Sequence, residues 1–184
     1  MHPDDILQTL LAAGPRPTFD CPRDARGIYL LHDHEGRPAY IGCTKVTTET
    51  FHSRIHHRHR SGSEDMSHQF SRAYNVGRLW RDRHAQKGSA DAGLAKRVRR
   101  TLIARHCGAS WVALDLPPQE IVRLEGMVLR AAPPSCLRWN DGHPTDISEP
   151  VELVDALIDE MGLDEEDRAA LERQAMRSQD RTLH

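Results

Sequence analysis

Residues Gly27 to Gly42, GIYLLHDHEGRPAYIG, constrain the fold of this chain more than any other stretch. Ile28, Tyr29, Leu30 and Leu31 suit a pleated, half-buried surface, and Ala39, Tyr40 and Ile41 resume the same pattern. Between them HDHEGRP carries a turn, because Gly36 takes positive φ without strain and Pro38 is tolerated at a strand start or edge. The stretch therefore predicts a β-hairpin with a tyrosine near the start of each strand.

The segments on either side follow from apolar spacing. Residues 3–13 predict a short helix with Asp4 and Asp5 in its first turn and Gly14–Pro15 as its stop. PRPTFDCPRDAR then reads as a proline-rich linker. After the hairpin, CTKVTTET is a polar loop in which Thr48 or Thr50 caps a helix over roughly 50–60, with Phe51 and Ile55 facing inward. Met66, Phe70, Ala73 and Tyr74 recur at helical spacing, and Leu94, Val98 and Leu102 give GLAKRVRRTLIARHC its buried stripe. SWVALDL at 110–116 is a third strand closed by Pro117–Pro118, and QEIVRLEGMVLRAA after it is a helix. Residues 149–162 and 164–177 predict two acidic amphipathic helices. The class expected is α+β: a small three-stranded antiparallel or mixed sheet flanked by helices. It divides into 1–25, a helix and linker; 26–141, a core with a basic helical insertion at about 78–106; and 142–184, an acidic helical extension.

The net charge of −2 conceals an asymmetry. From His52 to His106 there are thirteen Arg or Lys against four acids, whereas from Asp146 onward twelve acids face four arginines. A basic middle of this size suggests a polyanion partner, although any single arginine in it reads as a solvated helix face. No apolar run approaches the roughly 18–20 residues that span a bilayer, and MHPDDILQTLLAAG lacks a basic n-region, so a cytoplasmic protein is expected without a membrane partner. The four cysteines form no CxxC pair and read as free, packed thiols; a zinc site from Cys43 with His52 and His56 is the competing reading.

Two triplets, Gly-Ile-Tyr at 27–29 and Tyr-Ile-Gly at 40–42, joined by a short turn, resemble the signature hairpin of the GIY-YIG nuclease superfamily. Glu125, followed by Pro133–Pro134 and then Asn140, resembles that family's Glu, Pro, Asn ending. The resemblance covers roughly residues 26–141. It implies a metal-dependent DNA endonuclease that hydrolyses phosphodiester bonds with Mg²⁺ or Mn²⁺. Many restriction-type relatives cut as dimers, so a homodimer on DNA is compatible with it, and the acidic C-terminal helices suit a protein partner. The alternative is a nucleic-acid-binding module on the same scaffold that has lost catalysis.

The resemblance assigns Glu125 as the metal ligand, Tyr29 to the attacking water and Tyr40 to orienting the site. Read from the residues alone, Glu125 lies on the apolar stripe of its helix, where a carboxylate needs a cationic partner or a metal. Arg54 is the candidate for the scissile phosphate, with Arg58 as its alternative, since guanidinium holds two phosphate oxygens at any working pH. Many members carry a histidine one turn after that arginine. Arg58 stands there instead, flanked by His57 and His59, so a shifted register would restore a histidine. A phenol with its usual pKa of about 10 is a poor base, so Arg54, the metal or a neighbouring lysine, for which Lys45 is near enough, must favour a Tyr29 phenolate. Candidate substrate contacts are Arg58, Arg60, His68, Arg97, Arg100 and Asn140, the last in a supporting role.

Overall fold

Strand β2 (Gly27–His32) lies inside an antiparallel sheet of four strands, ordered β1-β4-β2-β3, in the computed structural model. β3 (Pro38–Cys43) pairs along one side of it, with Leu31 opposite Tyr40 and Tyr29 opposite Gly42. β4 (Gly108–Ala113) pairs along the other, with Tyr29 opposite Trp111. β1 (Arg16–Pro17) adds two residues to the outer edge of β4. The structure describes residues 1–61, 69–82, 88–140 and 147–182. They fall into two units, Met1–Arg60 with Ala104–Gly142 and Ser61–Ile103 with His143–His184.

The α+β class holds, but the expected sheet is short by one strand, and every pairing is antiparallel. β1 escapes sequence reading because two residues cannot display a period, and because prolines around it signal a linker. At a sheet edge, Pro17 costs nothing for its missing N–H. β4 also begins two residues earlier than predicted and ends at Ala113, opposite Gly27, where β2 itself begins.

The hairpin turn is built on Asp33. Its buried carboxylate accepts hydrogen bonds from the Glu35 and Arg37 main-chain N–H groups, from Arg37 Nε at 3.0 Å and from Arg138 Nη2 at 2.6 Å. Burial works to raise its pKa, but these donors outweigh burial and hold it below the ordinary value. Gly36 takes φ +75° in the turn.

Alternation along the strands splits the sheet into two faces. Ile28, Leu30, Ile41, Cys43 and Val112 form one core with Ile6 and Leu10 of α1 (Pro3–Ala13) and Ile121 and Val128 of α4 (Pro118–Ala131). Each such side chain contributes about 1.5–3 kcal/mol on burial. α1 starts in a capping box of His2 with Asp5 and stops at Gly14, φ +64°. The opposite face carries Tyr29, Tyr40, Gly42 and Trp111 beneath a helical segment, His52–His59, described below.

The second unit contains α2 (Gln69–Ala73), α3 (Ala90–His106, whose last three residues count with the first unit), α5 (Val151–Glu160) and α6 (Glu165–Thr182). Two arginines of the basic block are structural there. Arg78 donates from its main-chain N–H and from Nε to Glu149, and from Nη1 to Asp155 at 2.6 Å. Arg99 is fully buried and donates to the Leu79 carbonyl and to Asn75. The cationic surplus read from sequence is thus partly spent within the unit. Among the described residues, no helix is long and apolar enough to cross a membrane.

Candidate functional site

The segment expected as an α-helix over 50–60 is a π-helix through His52–His59. It starts at Thr50 and Ser53, which exchange hydrogen bonds between each one's main-chain N–H and the other's hydroxyl. Phe51 and Ile55 are buried as predicted, Phe51 with its ring 6.4 Å from that of Trp111. A π-helix bonds i to i+5 and has about 4.4 residues per turn, so residues five apart share a face. Arg54 and His59 are five apart, and both turn toward the sheet. On this wider winding the histidine that shares a face with Arg54 is His59, while Arg58 reaches Glu49 and His57 is exposed.

The Tyr29 hydroxyl is the centre of the site. Tyr29 is fully buried; its Oη lies 2.7 Å from His59 Nε2 and accepts from Arg54 Nε at 3.3 Å. With the imidazole proton on Nδ1, Tyr29 donates to His59. The Tyr40 ring lies 5.2 Å from His59 and 6.5 Å from Tyr29, so both tyrosines and the histidine form one aromatic cluster. Burial, then the neighbouring Tyr40, pushes the Tyr29 phenol well above its usual pKa, and Arg54 only partly offsets this. A standing phenolate is therefore disfavoured. The Lys45 side chain is exposed; its charge acts on the Cys43 thiol, and its main-chain N–H donates to Glu49.

Both hairpin glycines are explained by close approach. A Cβ on Gly42 would fall 2.5 Å from Tyr29 Oη and 2.8 Å from Tyr40 Cε1, and one on Gly27 would collide with the Val112 carbonyl. Gly42→Ala is expected to displace the Tyr29 ring and cost about 1–3 kcal/mol as an overpacking change, measurable by urea unfolding.

Glu49 was not anticipated. It is 5 % exposed and accepts from the Lys45 N–H at 2.7 Å, from Arg58 Nη1 at 2.6 Å and from Arg54 Nη1 at 3.5 Å. It therefore holds both candidate phosphate arginines, Arg54 buried and Arg58 about half exposed. Its one sequence signal is isolation: no other acid occurs between Glu35 and Glu64.

Glu125 is partly buried on α4, on the side that packs against β3. Its charge acts on Tyr40 and on the Cys43 thiol, whose pKa burial and then Glu125 push up. Tyr40 is raised above its usual pKa first by burial; Arg54 opposes this and Glu125 adds to it. Among the described residues, no three His, Cys, Asp or Glu side chains converge as a metal cage, so the zinc reading of Cys43 with His52 and His56 has no support. A single carboxylate such as Glu125, completed by waters and substrate oxygens, is a donor set that suits Mg²⁺.

Asn140 is engaged at both ends of its amide. Its Oδ1 accepts from the Ile41 N–H at 3.0 Å and its Nδ2 donates to the Ile41 carbonyl at 2.8 Å, while the Trp139 N–H donates to Ala39. The side chain thus completes the outer edge of β3 between Tyr40 and Gly42. Asn140→Ala should lower stability by about 1–3 kcal/mol, read by thermal melting, because two main-chain groups lose partners. Arg60 closes the π-helix, with Nε donating to the His56 carbonyl. Arg97 and Arg100 are exposed on α3 in the second unit. His68 lies outside the described residues. Compared with protein-family models, curated proteins and solved structures, the chain has no significant match.

Proposed function

We propose that this chain is a metal-dependent DNA endonuclease, with Tyr29, His59, Arg54 and Glu125 as its working residues. The observation that carries this reading is the Tyr29 hydroxyl, held between His59 Nε2 and Arg54 Nε on the sheet face that also bears Tyr40. Such an arrangement suits a proton relay. As water attacks phosphorus, it gives a proton to Tyr29 Oη while Tyr29 passes its own to His59 Nε2, so no free phenolate is required. Arg54 lies next to that oxygen and supplies positive charge for the negative charge that develops on the phosphoryl group. Glu125 would hold Mg²⁺ or Mn²⁺, whose chemistry when bound is Lewis-acid polarisation of a phosphate oxygen. Glu49 keeps Arg54 in place, and the exposed Arg58 is suited to a neighbouring phosphate.

One observation favours the second reading, a binding module without catalysis. Arg54 is only 9 % exposed and already gives Nε to Tyr29 and Nη1 to Glu49, so a phosphate finds it buried and with two of its three nitrogens engaged. Incubation of supercoiled plasmid and of single-stranded DNA with Mg²⁺, Mn²⁺ or EDTA separates the two. The nuclease reading expects nicked or shortened products with metal and none with EDTA. DNA binding without cutting in either metal would leave the binding module.

A further inference from the structure

The winding that turns Arg54 and His59 inward gathers three other histidines on the outside of the same helix. His52, His56 and His57 are spaced four and five apart, which brackets one π turn of about 4.4 residues. Their ring centroids lie 4.9 Å (His52–His56), 4.7 Å (His52–His57) and 5.4 Å (His56–His57) apart. On an α-helix His57 would point well away from His52, so the cluster exists only because the helix is wide. Neighbouring elements supply its surroundings. The His52 N–H donates to the Pro22 carbonyl, bringing the loop with Arg23 alongside. Thr18 Oγ1 lies 3.2 Å from His56 Nδ1, anchoring the 3-10 turn Thr18–Asp20 on which Phe19 is 62 % exposed. Burial comes first, and then Arg23, Arg60 and the other imidazoles act on His52 and His56; together they hold His52 low and push His56 down to about 4. Asp20, on the 3-10 turn, acts on Cys21, and Asp24 follows Arg23 as an exposed residue.

We propose that this outer face, His52, His56 and His57 with Arg23, Arg60 and Phe19, is a second contact for a single nucleic-acid strand, and that it takes up protons on binding. The occupant follows from charge and shape. Two guanidiniums beside three imidazoles repel a metal dication but suit phosphates, and an exposed ring next to a cationic stripe suits stacked bases. The sign of the linkage is set by the same geometry. Without an anion, cationic neighbours oppose protonation; a bound phosphodiester removes that penalty, so the complex holds more protons than the free protein. Affinity therefore strengthens as pH falls and is lost as pH rises through the pKa values of the bound state. The choice of nucleic acid as the polyanion rests on the nuclease reading.

The test is fluorescence anisotropy of a labelled single-stranded oligonucleotide in EDTA at fixed salt, at about pH 5.5 and about pH 7.5. Wild type is compared with the H52Q/H56Q/H57Q triple variant and with Phe19→Ala, all checked for folding by circular dichroism. Wild type should bind about tenfold more weakly at the higher pH, the change expected for one proton taken up across a pH unit. The triple variant should lose that dependence, and Phe19→Ala should weaken oligonucleotide binding but not heparin binding. If the triple variant fails to fold, His56→Gln alone, which removes the imidazole held furthest below its usual value, should reduce the dependence at least twofold.

An unchanged pH dependence in the folded triple or single variant overturns the proposal. Equal loss of heparin and oligonucleotide binding in Phe19→Ala overturns the strand contact. Stoichiometric Ni²⁺ binding that the triple variant loses, with DNA binding intact, would make the cluster a metal site instead. Cleavage by wild type in Mg²⁺ is read separately: cutting without the proton linkage sinks this inference alone, and linkage without cutting sinks the nuclease reading alone.

Discussion

Tyr29→Phe is expected to lower the cleavage rate by about 10²–10⁴-fold, the range for loss of a positioned proton-transfer group. The substitution removes one oxygen and leaves His59 Nε2 and Arg54 Nε without the partner they share at 2.7 Å and 3.3 Å. Because the site is buried, stability should also fall, by about 1–3 kcal/mol. Tyr40→Phe is the control, since no hydrogen bond joins its hydroxyl to His59 or Arg54 in the relay described, and its rate should fall less. Single-turnover cleavage measured beside urea unfolding separates the two effects. A Tyr29→Phe variant that cuts at the wild-type rate would remove the relay. The buried phenol also makes an alkaline prediction. Its folded pKa is raised, so its contribution to stability is complete below the unfolded value of about 10 and is lost as pH climbs above that value. Tyr29→Phe should flatten this alkaline loss of stability.

Glu125→Gln is expected to reduce metal-dependent cleavage by at least about 10²-fold, as loss of one strong electrostatic contact in a reacting centre does. The amide is nearly isosteric and keeps an oxygen beside β3, so unfolding free energy should change by no more than about 1 kcal/mol. The diagnostic readout is the metal titration: the Mg²⁺ concentration giving half-maximal cutting should rise in the variant. If Glu125 served only to pack α4 beside β3, the variant would melt earlier while its metal dependence stayed that of wild type.

Much of the first unit was legible in the chain. The hairpin reads directly because two runs of aliphatic and aromatic residues, each bounded by a glycine, and a turn with Gly36 all lie within sixteen residues. α1, α4 and the acidic helices α5 and α6 read from apolar spacing, caps and proline boundaries, which are local signals of the same kind. Tyr29, Tyr40, Arg54, Glu125 and Asn140 could be singled out in advance. Their contacts could not: Asn140 proves to close the edge of β3, and Arg99, read as a surface charge, is wholly buried.

What only the tertiary structure decided shares one physical cause, the dependence on partners that no local sequence pattern reveals. β1 exists because β4, some ninety residues on, offers it an edge. Glu49 matters because the helix after it returns Arg54 and Arg58 to its carboxylate. The π winding puts His59, five residues on, rather than His57 on the face of Arg54, and it gathers the outer cluster. Residue types alone do not distinguish i+4 from i+5 bonding. That difference is a fraction of a turn per residue, set by where Phe51, Ile55, Arg54 and His59 must meet the sheet.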